Sequence, residues 1–204
     1  MYFINHHSSV ILMYMQSLQL SRPHAIMMVG IPGSGKSQFA EKLAETFHMP
    51  FIDSLFLETH STDDSSAGEL IGYVLGELTK TGASFVFEGN SDSRVRRTEF
   101  VAWAKSKGYI PLFIWVQTDL NTSLDRTMRN KTMTKDEFVR TLKTFSPPHE
   151  SEKAVVISGK HTYASQVKVV LKRLGELNRP ALHATPSVQR AVEQPTNRSS
   201  RLAR

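Results

Sequence analysis

The sequence predicts an α/β protein, a three-layer α/β/α sandwich with helices on both faces of a five-stranded, mostly parallel sheet. The chain has 204 residues, of which 40% are hydrophobic, enough for one domain with its own core. Short continuous apolar runs alternate with segments in which apolar residues recur every three or four positions. Such runs are typical of strands buried on both faces, and strands separated by helices pair in parallel.

Five apolar runs are the predicted strands, at residues 25–29, 51–53, 84–88, 110–116 and 154–157. Pro50 stands directly before the second run and cannot continue the preceding helix. Pro111 is tolerable only because it lies at the beginning of the fourth run. The third run ends in an acid, Glu88.

Six amphipathic segments are the predicted helices, beginning near residues 36, 66, 93, 119, 134 and 163. Ser66 with Glu69, and Thr134 with Glu137, have the spacing of a capping box and predict two of these helix starts. Thr118 or Asp119 is expected to cap the helix that follows the fourth strand.

Charge and composition divide the chain into three predicted parts: an arm at residues 1–22, a domain at 23–177 and a disordered basic tail at 178–204. The net charge is +6, but the tail has five arginines and one acid, Glu193, which leaves about +2 for the rest. Nucleic acid is therefore a possible partner that the charge of the domain does not itself imply. A tail that docks on RNA or on an acidic partner stays open as a separate hypothesis.

Several functional classes are excluded or disfavoured by composition. The chain has no cysteine, which excludes disulfides, cysteine zinc sites and thiol nucleophiles, and the eight histidines show no metal-ligand spacing. The apolar run at residues 10–15 is far too short to cross a membrane and lacks the flanks of an export signal. We expect no membrane association and a cytoplasmic location.

One motif carries the chemistry. It follows the first predicted strand, opens the first predicted helix, and consists of Gly30, Ile31, Pro32, Gly33, Ser34, Gly35, Lys36 and Ser37. This order matches G-x-x-x-x-G-K-[ST] at every fixed position, in the strand-to-helix context that the phosphate-binding loop requires. Glycines let successive backbone N–H groups point at phosphate oxygens, and the helix N-terminus favours the same anion. We expect the loop and Gln38 to bind ATP, Lys36 to reach the β- and γ-phosphates, and Ser37 to ligate Mg²⁺.

The wider pattern resembles the P-loop kinases related to polynucleotide 5′-kinase and zeta-toxin-type kinases. The motif is followed by an acid after the second strand, an acid-x-Asn after the third and an arginine-rich segment after the fourth, across about residues 25–177. The resemblance implies a P-loop NTPase fold of the nucleoside-monophosphate-kinase type with a small helical lid at about residues 126–148.

The resemblance also implies roles for four further residues. Asp53 is the expected general base toward the acceptor hydroxyl, Glu88 the acid that holds Mg²⁺, and Arg126 and Arg129 the lid arginines that stabilise the transferred phosphoryl group. Each has a plainer alternative: a helix-capping Asp53, a strand-ending Glu88 and a solvated arginine face. Arg94 and Arg97 are either acceptor-binding or part of a solvated helix face.

Together these features predict an ATP- and Mg²⁺-dependent phosphotransferase. The acceptor stays open between a nucleic-acid 5′-hydroxyl, a nucleotide and a small metabolite. The alternative is a regulatory protein that binds ATP without transferring phosphate. It is motivated by the surroundings of Asp53: relatives often have a further charged residue shortly after this position, whereas here Ser54, Leu55 and Phe56 follow.

Overall fold

The computed structural model describes residues 22–178 and contains one five-stranded sheet. The strands are β1 His24–Val29, β2 Phe51–Asp53, β3 Phe85–Glu88, β4 Ile110–Gln117 and β5 Val155–Ser158. They lie in the order β2-β3-β1-β4-β5, and every neighbouring pair is parallel. The predicted fold class is confirmed, with strand ends displaced by no more than one residue.

Seven helices within the described residues connect and cover the strands: α1 Lys36–Phe47, α2 Ser54–Thr59, α3 Asp64–Lys80, α4 Arg94–Ser106, α5 Leu120–Asn130, α6 Lys135–Thr144 and α7 Tyr163–Asn178. A short 3₁₀ helix, Glu150–Glu152, precedes β5. Because parallel strands all end at one edge of the sheet, the loops after β1, β2, β3, β4 and β5 meet there.

Alternate residues of the strands face two separate apolar cores, as the period of two in a strand requires. On one face, Ile26 and Met28 of β1 pack with α1 and α7, through residues such as Leu43 and Val170. On the other face, Met27 packs with residues of α3 and α4. Because β1 is buried on both sides and lies at the centre of the sheet, it fixes the position of the loop that follows it.

Of the three helix caps predicted from the sequence, two are confirmed and one is wrong. Asp119 caps α5, and Thr134 with Glu137 forms a complete capping box at α6. Ser66 does not begin a helix: α3 starts at Asp64, and the carboxylate of Asp63 accepts the Ser66 N–H at 2.9 Å. An aspartate at this position can also benefit from the positive end of the helix dipole, which an uncharged serine cannot.

The predicted arm at residues 1–22 and tail at 178–204 lie outside the described residues, apart from the two that border them. The six-residue helix α2 had no counterpart among the predicted elements. Among the described residues, no helix combines the length and the apolar character needed to cross a bilayer.

Candidate active site

The glycine-rich loop after β1 is curled, and its conformation depends on close packing. Gly33 has φ +72°, and a Cβ added there would lie 2.2 Å from the Ser123 carbonyl oxygen of α5. Gly30 has φ +149°, and its Cβ would lie 2.7 Å from the carbonyl oxygen of Val116. Both the backbone conformation and the space therefore require glycine at these two positions.

The opposite side of the loop is held by the segments after β4 and β5. The Thr118 hydroxyl donates to the carbonyl oxygen of Ser34 at 3.1 Å. A Cβ added to Gly159, just after β5, would lie 2.0 Å from that same oxygen. Ser34 itself is fully buried. The loop is thus wedged between α5 and the ends of β4 and β5.

Helix α1 begins directly at the loop with its N-terminus available to an anion. Its N-cap is Gly35, with φ 100° and no side chain that could accept from the first N–H groups, and the first turn contains no acid. The first N–H groups of a helix have no partner within the helix, and the dipole makes this end electropositive. A phosphate oxygen is the kind of acceptor that such an end favours.

Lys36, Ser37 and Glu88 meet at this helix end. The Ser37 hydroxyl donates to Glu88 Oε1 at 3.1 Å, and Lys36 Nζ lies 3.8 Å from the same oxygen. Lys36 Nζ also donates to the Ile31 carbonyl oxygen at 3.1 Å. Burial lowers the pKa of Lys36 below its ordinary value, and Glu88 and Asp53 oppose that shift. Burial also raises the pKa of Glu88, against the opposing effect of Lys36 and Ser37.

The hydroxyl and carboxylate of this cluster fit a Mg²⁺ ion. Glu88 Oε2 is buried and has no hydrogen-bond partner among residues 22–178, which is costly for a carboxylate oxygen. Mg²⁺ is usually bound by one or two carboxylates together with water and substrate phosphates, and one serine hydroxyl is compatible with that set. The single carboxylate beside Ser37 is therefore sufficient for a metal that arrives with a nucleotide.

Asp53 ends β2 beside Glu88, its register partner in β3. Its Oδ1 accepts the Leu55 N–H at 3.0 Å and caps α2. The structure therefore places Asp53 at the edge where the acceptor is expected and also gives it the capping role of the plainer interpretation. The two roles use the same carboxylate but do not exclude each other, since a carboxylate can accept several hydrogen bonds.

Of the two predicted lid arginines, the structure brings one to the loop. Arg126 Nη1 donates to the Gly159 carbonyl oxygen at 3.1 Å and approaches that of Gly33 at 3.5 Å. Arg129 lies one turn further along α5, exposed, at the end that continues into the α5–α6 connection. The contacts of Thr118 and Gly159 with the loop were not predicted, since Thr118 was expected only as a possible helix cap. A glycine directly after a predicted strand is a signal for close backbone approach.

Arg97 is not on a solvated face and does not face the site. It is fully buried, and Nε and Nη2 donate to the Glu152 carboxylate at 2.7 and 3.0 Å. Its Nη1 donates to the carbonyl oxygens of Ser91 and Ser146, both at 2.9 Å. The acceptor-binding and solvated interpretations of Arg97 are therefore both wrong, because this guanidinium joins the loop after β3 to the segment after α6.

Arg94 is exposed and lies 3.4 Å from the Ser151 hydroxyl.

A cavity of about 310 Å³ adjoins the loop on the side of α1 and the β5–α7 connection. It is lined in part by Gly35, Gln38, Lys42, Gly159 and Gln166. The volume lies at the lower end of the range for small-molecule pockets. Its position next to the helix N-terminus offers space for the part of a nucleotide that lies beyond the phosphates.

Of the comparisons with known proteins, the one with solved structures bears on the fold. No family model matches the chain. In sequence it is 26% identical over 116 residues to the Bacillus subtilis (strain 168) oxygen-independent coproporphyrinogen-III oxidase-like protein HemZ. That match takes in 54% of this chain but 21% of the relative, so the chain spans about a fifth of the relative's length.

Among solved structures, the chain is similar to a gluconokinase from Sinorhizobium meliloti 1021, with TM-score 0.59, 21% identity and coverage of 76% of this chain and 94% of that one. Kti12 of Chaetomium thermophilum in complex with ADP-AlF3 has TM-score 0.64 at 11% identity, covering 76% of this chain and 100% of Kti12. An Acinetobacter baumannii shikimate kinase in complex with shikimate has TM-score 0.54 at 19% identity, covering 79% and 98%. The chain thus shares the fold of these structures, an α/β fold with a five-stranded parallel sheet and flanking helices.

Proposed function

We propose that this chain is an ATP-dependent phosphotransferase that moves the γ-phosphoryl group to a hydroxyl acceptor. The observation that carries the proposal is the cluster at the start of α1. There, Lys36 and an uncapped helix N-terminus stand beside a buried carboxylate oxygen of Glu88 that has no partner among the described residues. Each member of this cluster is best stabilised by a triphosphate with its metal.

The triphosphate lies along the curled loop, with the backbone N–H groups and Lys36 on its oxygens. Ser37 and Glu88 would hold a Mg²⁺ ion, which would supply positive charge to neutralise the phosphates. The nucleoside part extends into the 310 Å³ cavity past Gly35. Burial lowers the pKa of Lys36, and a neighbouring triphosphate stabilises its charged form.

The transfer itself needs positioning and charge stabilisation more than covalent chemistry by the protein. The acceptor oxygen attacks the γ-phosphorus while the bond to the β–γ bridging oxygen breaks, and ADP leaves with that oxygen. Asp53 accepts the proton of the acceptor hydroxyl. Arg126, already within reach of Gly33, stabilises the charge that develops on the transferred group, and Arg129 joins it when the lid at about residues 126–148 closes.

The similar structures support this class of reaction, because they include a gluconokinase, a sugar kinase and a shikimate kinase. One observation favours the second candidate, a regulatory protein that binds ATP without transfer: Asp53 is already engaged in capping α2. The two candidates share nucleotide binding and differ in turnover.

The test measures ATP affinity and acceptor-dependent ADP release in the wild type and in Lys36→Ala. We expect Lys36→Ala to lose at least tenfold in affinity and essentially all turnover. Lys172→Ala, which removes an exposed lysine of α7, is the matched control and should behave as the wild type. Equal ATP affinity in all three proteins would remove the proposal, whereas tight Lys36-dependent binding with no transfer to any acceptor would establish the regulatory candidate.

A further inference from the structure

A second and larger space lies between the two helices that cover the β1–β3 side of the sheet. This space, which we name the α3–α4 groove, has a volume of about 690 Å³. One wall is the α3 surface that contains Gly68 and Gly72, and the other is the α4 surface that contains Arg96 and Glu99. Its volume is within the range of pockets for small molecules.

The floor of the groove is apolar and aromatic. Phe87, Phe100 and Trp103 line it, and the rings of Phe87 and Phe100 lie stacked with centroids 5.9 Å apart and an interplanar angle of 12°. Aromatic edges and faces of this kind favour a flat ring over a flexible or strongly hydrated group. Phe87 and Phe100 are 3% and 7% exposed, so the half-buried Trp103 is the most accessible of the three rings, and its surface favours a planar, largely apolar ligand.

The mouth of the groove lies close to the reaction centre. Asn90 lines it, and this residue is only two positions after Glu88, so the two are separated by about 7 Å of chain at most. Asn90 has φ 47°, in the left-handed region, and its Oδ1 accepts a hydrogen bond from Arg96 Nη1. The side-chain amide of Asn90 is thereby oriented with its two N–H donors free of that bond.

The charges of the groove are balanced. Among the described residues that line it, Arg96 is the one cation and Glu99 the one acid. Arg96 is also engaged with Asn90 and lies 3.7 Å from Asp92. The side chains that line the groove therefore carry no net charge. Burying an added carboxylate or phosphate there costs more desolvation free energy than burying a hydroxyl or amide, so the lining favours an uncharged ligand.

We infer that the α3–α4 groove binds the ring of an uncharged acceptor alcohol, of the chemical class of nucleosides, with its hydroxyl directed past Asn90 to the γ-phosphate. The inference rests on the proposed function, since it identifies the acceptor of that reaction. Glu99 accepts from ring N–H or sugar hydroxyl groups, and Asn90 donates to ring or sugar oxygens. The same balance of charges disfavours a carboxylate such as shikimate, the molecule bound in one of the similar structures.

The glycines of α3 provide a variant that fills the groove without touching the reaction centre. A Cβ added to Gly72 meets nothing within 4 Å, so Gly72→Leu projects its side chain into open groove space. A Cβ added to Gly76, one turn further along the same helix, also meets nothing within 4 Å, but Gly76 does not line the groove. Gly76→Leu is therefore the matched control.

The experiment supplies wild type, Gly72→Leu and Gly76→Leu with ATP, Mg²⁺ and a panel of acceptors. The panel contains uridine and inosine, their 5′-monophosphates, glucose as an uncharged alcohol without an aromatic ring, gluconate and shikimate. We expect kcat/KM for a nucleoside at least tenfold above that for every other member. Gly72→Leu should raise the nucleoside KM at least tenfold and change the ATP KM less than twofold, and Gly76→Leu should change neither by more than twofold.

A parallel binding measurement uses labelled uridine and inosine with protein saturated by a non-hydrolysable ATP analogue, so that the result does not depend on turnover. Any one of three results would overturn the inference. They are the absence of nucleoside binding to wild type, a preference for a charged acceptor or for glucose, and an unchanged nucleoside affinity in Gly72→Leu. Lys36-dependent binding of the ATP analogue in those cases would leave the proposed function standing. If the proposed function itself were wrong, the ATP analogue would bind wild type and Lys36→Ala with the same affinity.

Discussion

Replacing Arg97 by methionine removes the guanidinium that joins α4 to the loop after β3 and to the segment after α6. Methionine has a similar length and no donor, so the change leaves the Glu152 carboxylate and the carbonyl oxygens of Ser91 and Ser146 without their shared partner. Arg97 is fully buried and the Glu152 side chain is 10% exposed, so little water reaches the stranded groups.

The expected loss in the free energy of unfolding is about 3–5 kcal/mol, the cost of removing one partner of a buried ion pair. For a domain of this size that corresponds to a decrease of about 6–20 °C in Tm. The assay is urea unfolding followed by circular dichroism, with the slope against urea checked for constancy. Arg94→Met, an exposed arginine in the same helix, is the control and should cost less than about 0.5 kcal/mol.

A double-mutant cycle separates the ion pair from the rest of the site. The variant that combines Arg97→Met with Glu152→Gln should be more stable than the sum of the two single losses, because the second change removes the stranded charge. A loss below about 1 kcal/mol for Arg97→Met, or one equal to that of Arg94→Met, would refute the assignment of Arg97 as the buried connection between these segments.

Two further predictions concern the loop and the same ion pair. Gly33→Ala should abolish measurable ATP binding and lower the free energy of unfolding more than Gly82→Ala does. Both glycines have φ near +70°, but only at Gly33 would the added Cβ meet a carbonyl oxygen, at 2.2 Å. Equal losses of stability in the two variants would contradict the packing argument. Burial raises the pKa of Glu152, but Arg97 and the His149 N–H outweigh it, so the pKa lies below its ordinary value. The difference in free energy of unfolding between wild type and Glu152→Gln should then be constant above about pH 5 and shrink as pH falls below about 4.3. A difference that grows in acid would contradict a lowered pKa for Glu152.

The fold was predictable because its signals are local. The apolar run of β1 and the glycine pattern after it lie within a dozen residues, and sterics leave few other conformations for them. The six-residue helix α2 was missed because it is too short to show a helical period, and its cap, Asp53, was assigned a catalytic role. For α3, a serine-glutamate pair fitted the capping pattern, but the helix is capped by Asp63, three residues earlier. The charge of Asp63 also interacts favourably with the helix dipole.

The site was predictable in part for the same reason. Lys36 and Ser37 follow directly from the motif, and the structure brings Glu88 to them from a strand fifty residues away. The role of Arg97 could not be read from its own helix, since its partner Glu152 lies fifty-five positions further on and no local period links them. Arg126 lies in the predicted lid, but its contact with Gly159 depends on how β5 ends.

The walls around the nucleotide loop come from late parts of the chain. The loop is complete in sequence by residue 37, whereas the carbonyl of Val116, the carbonyl of Ser123 and the backbone of Gly159 are what hold it. A growing polypeptide on the ribosome thus carries the motif long before it can hold the loop in shape. Affinity for nucleotide should emerge in nascent chains only after β5 has left the exit tunnel, which ties occupancy of the pocket to completion of the sheet.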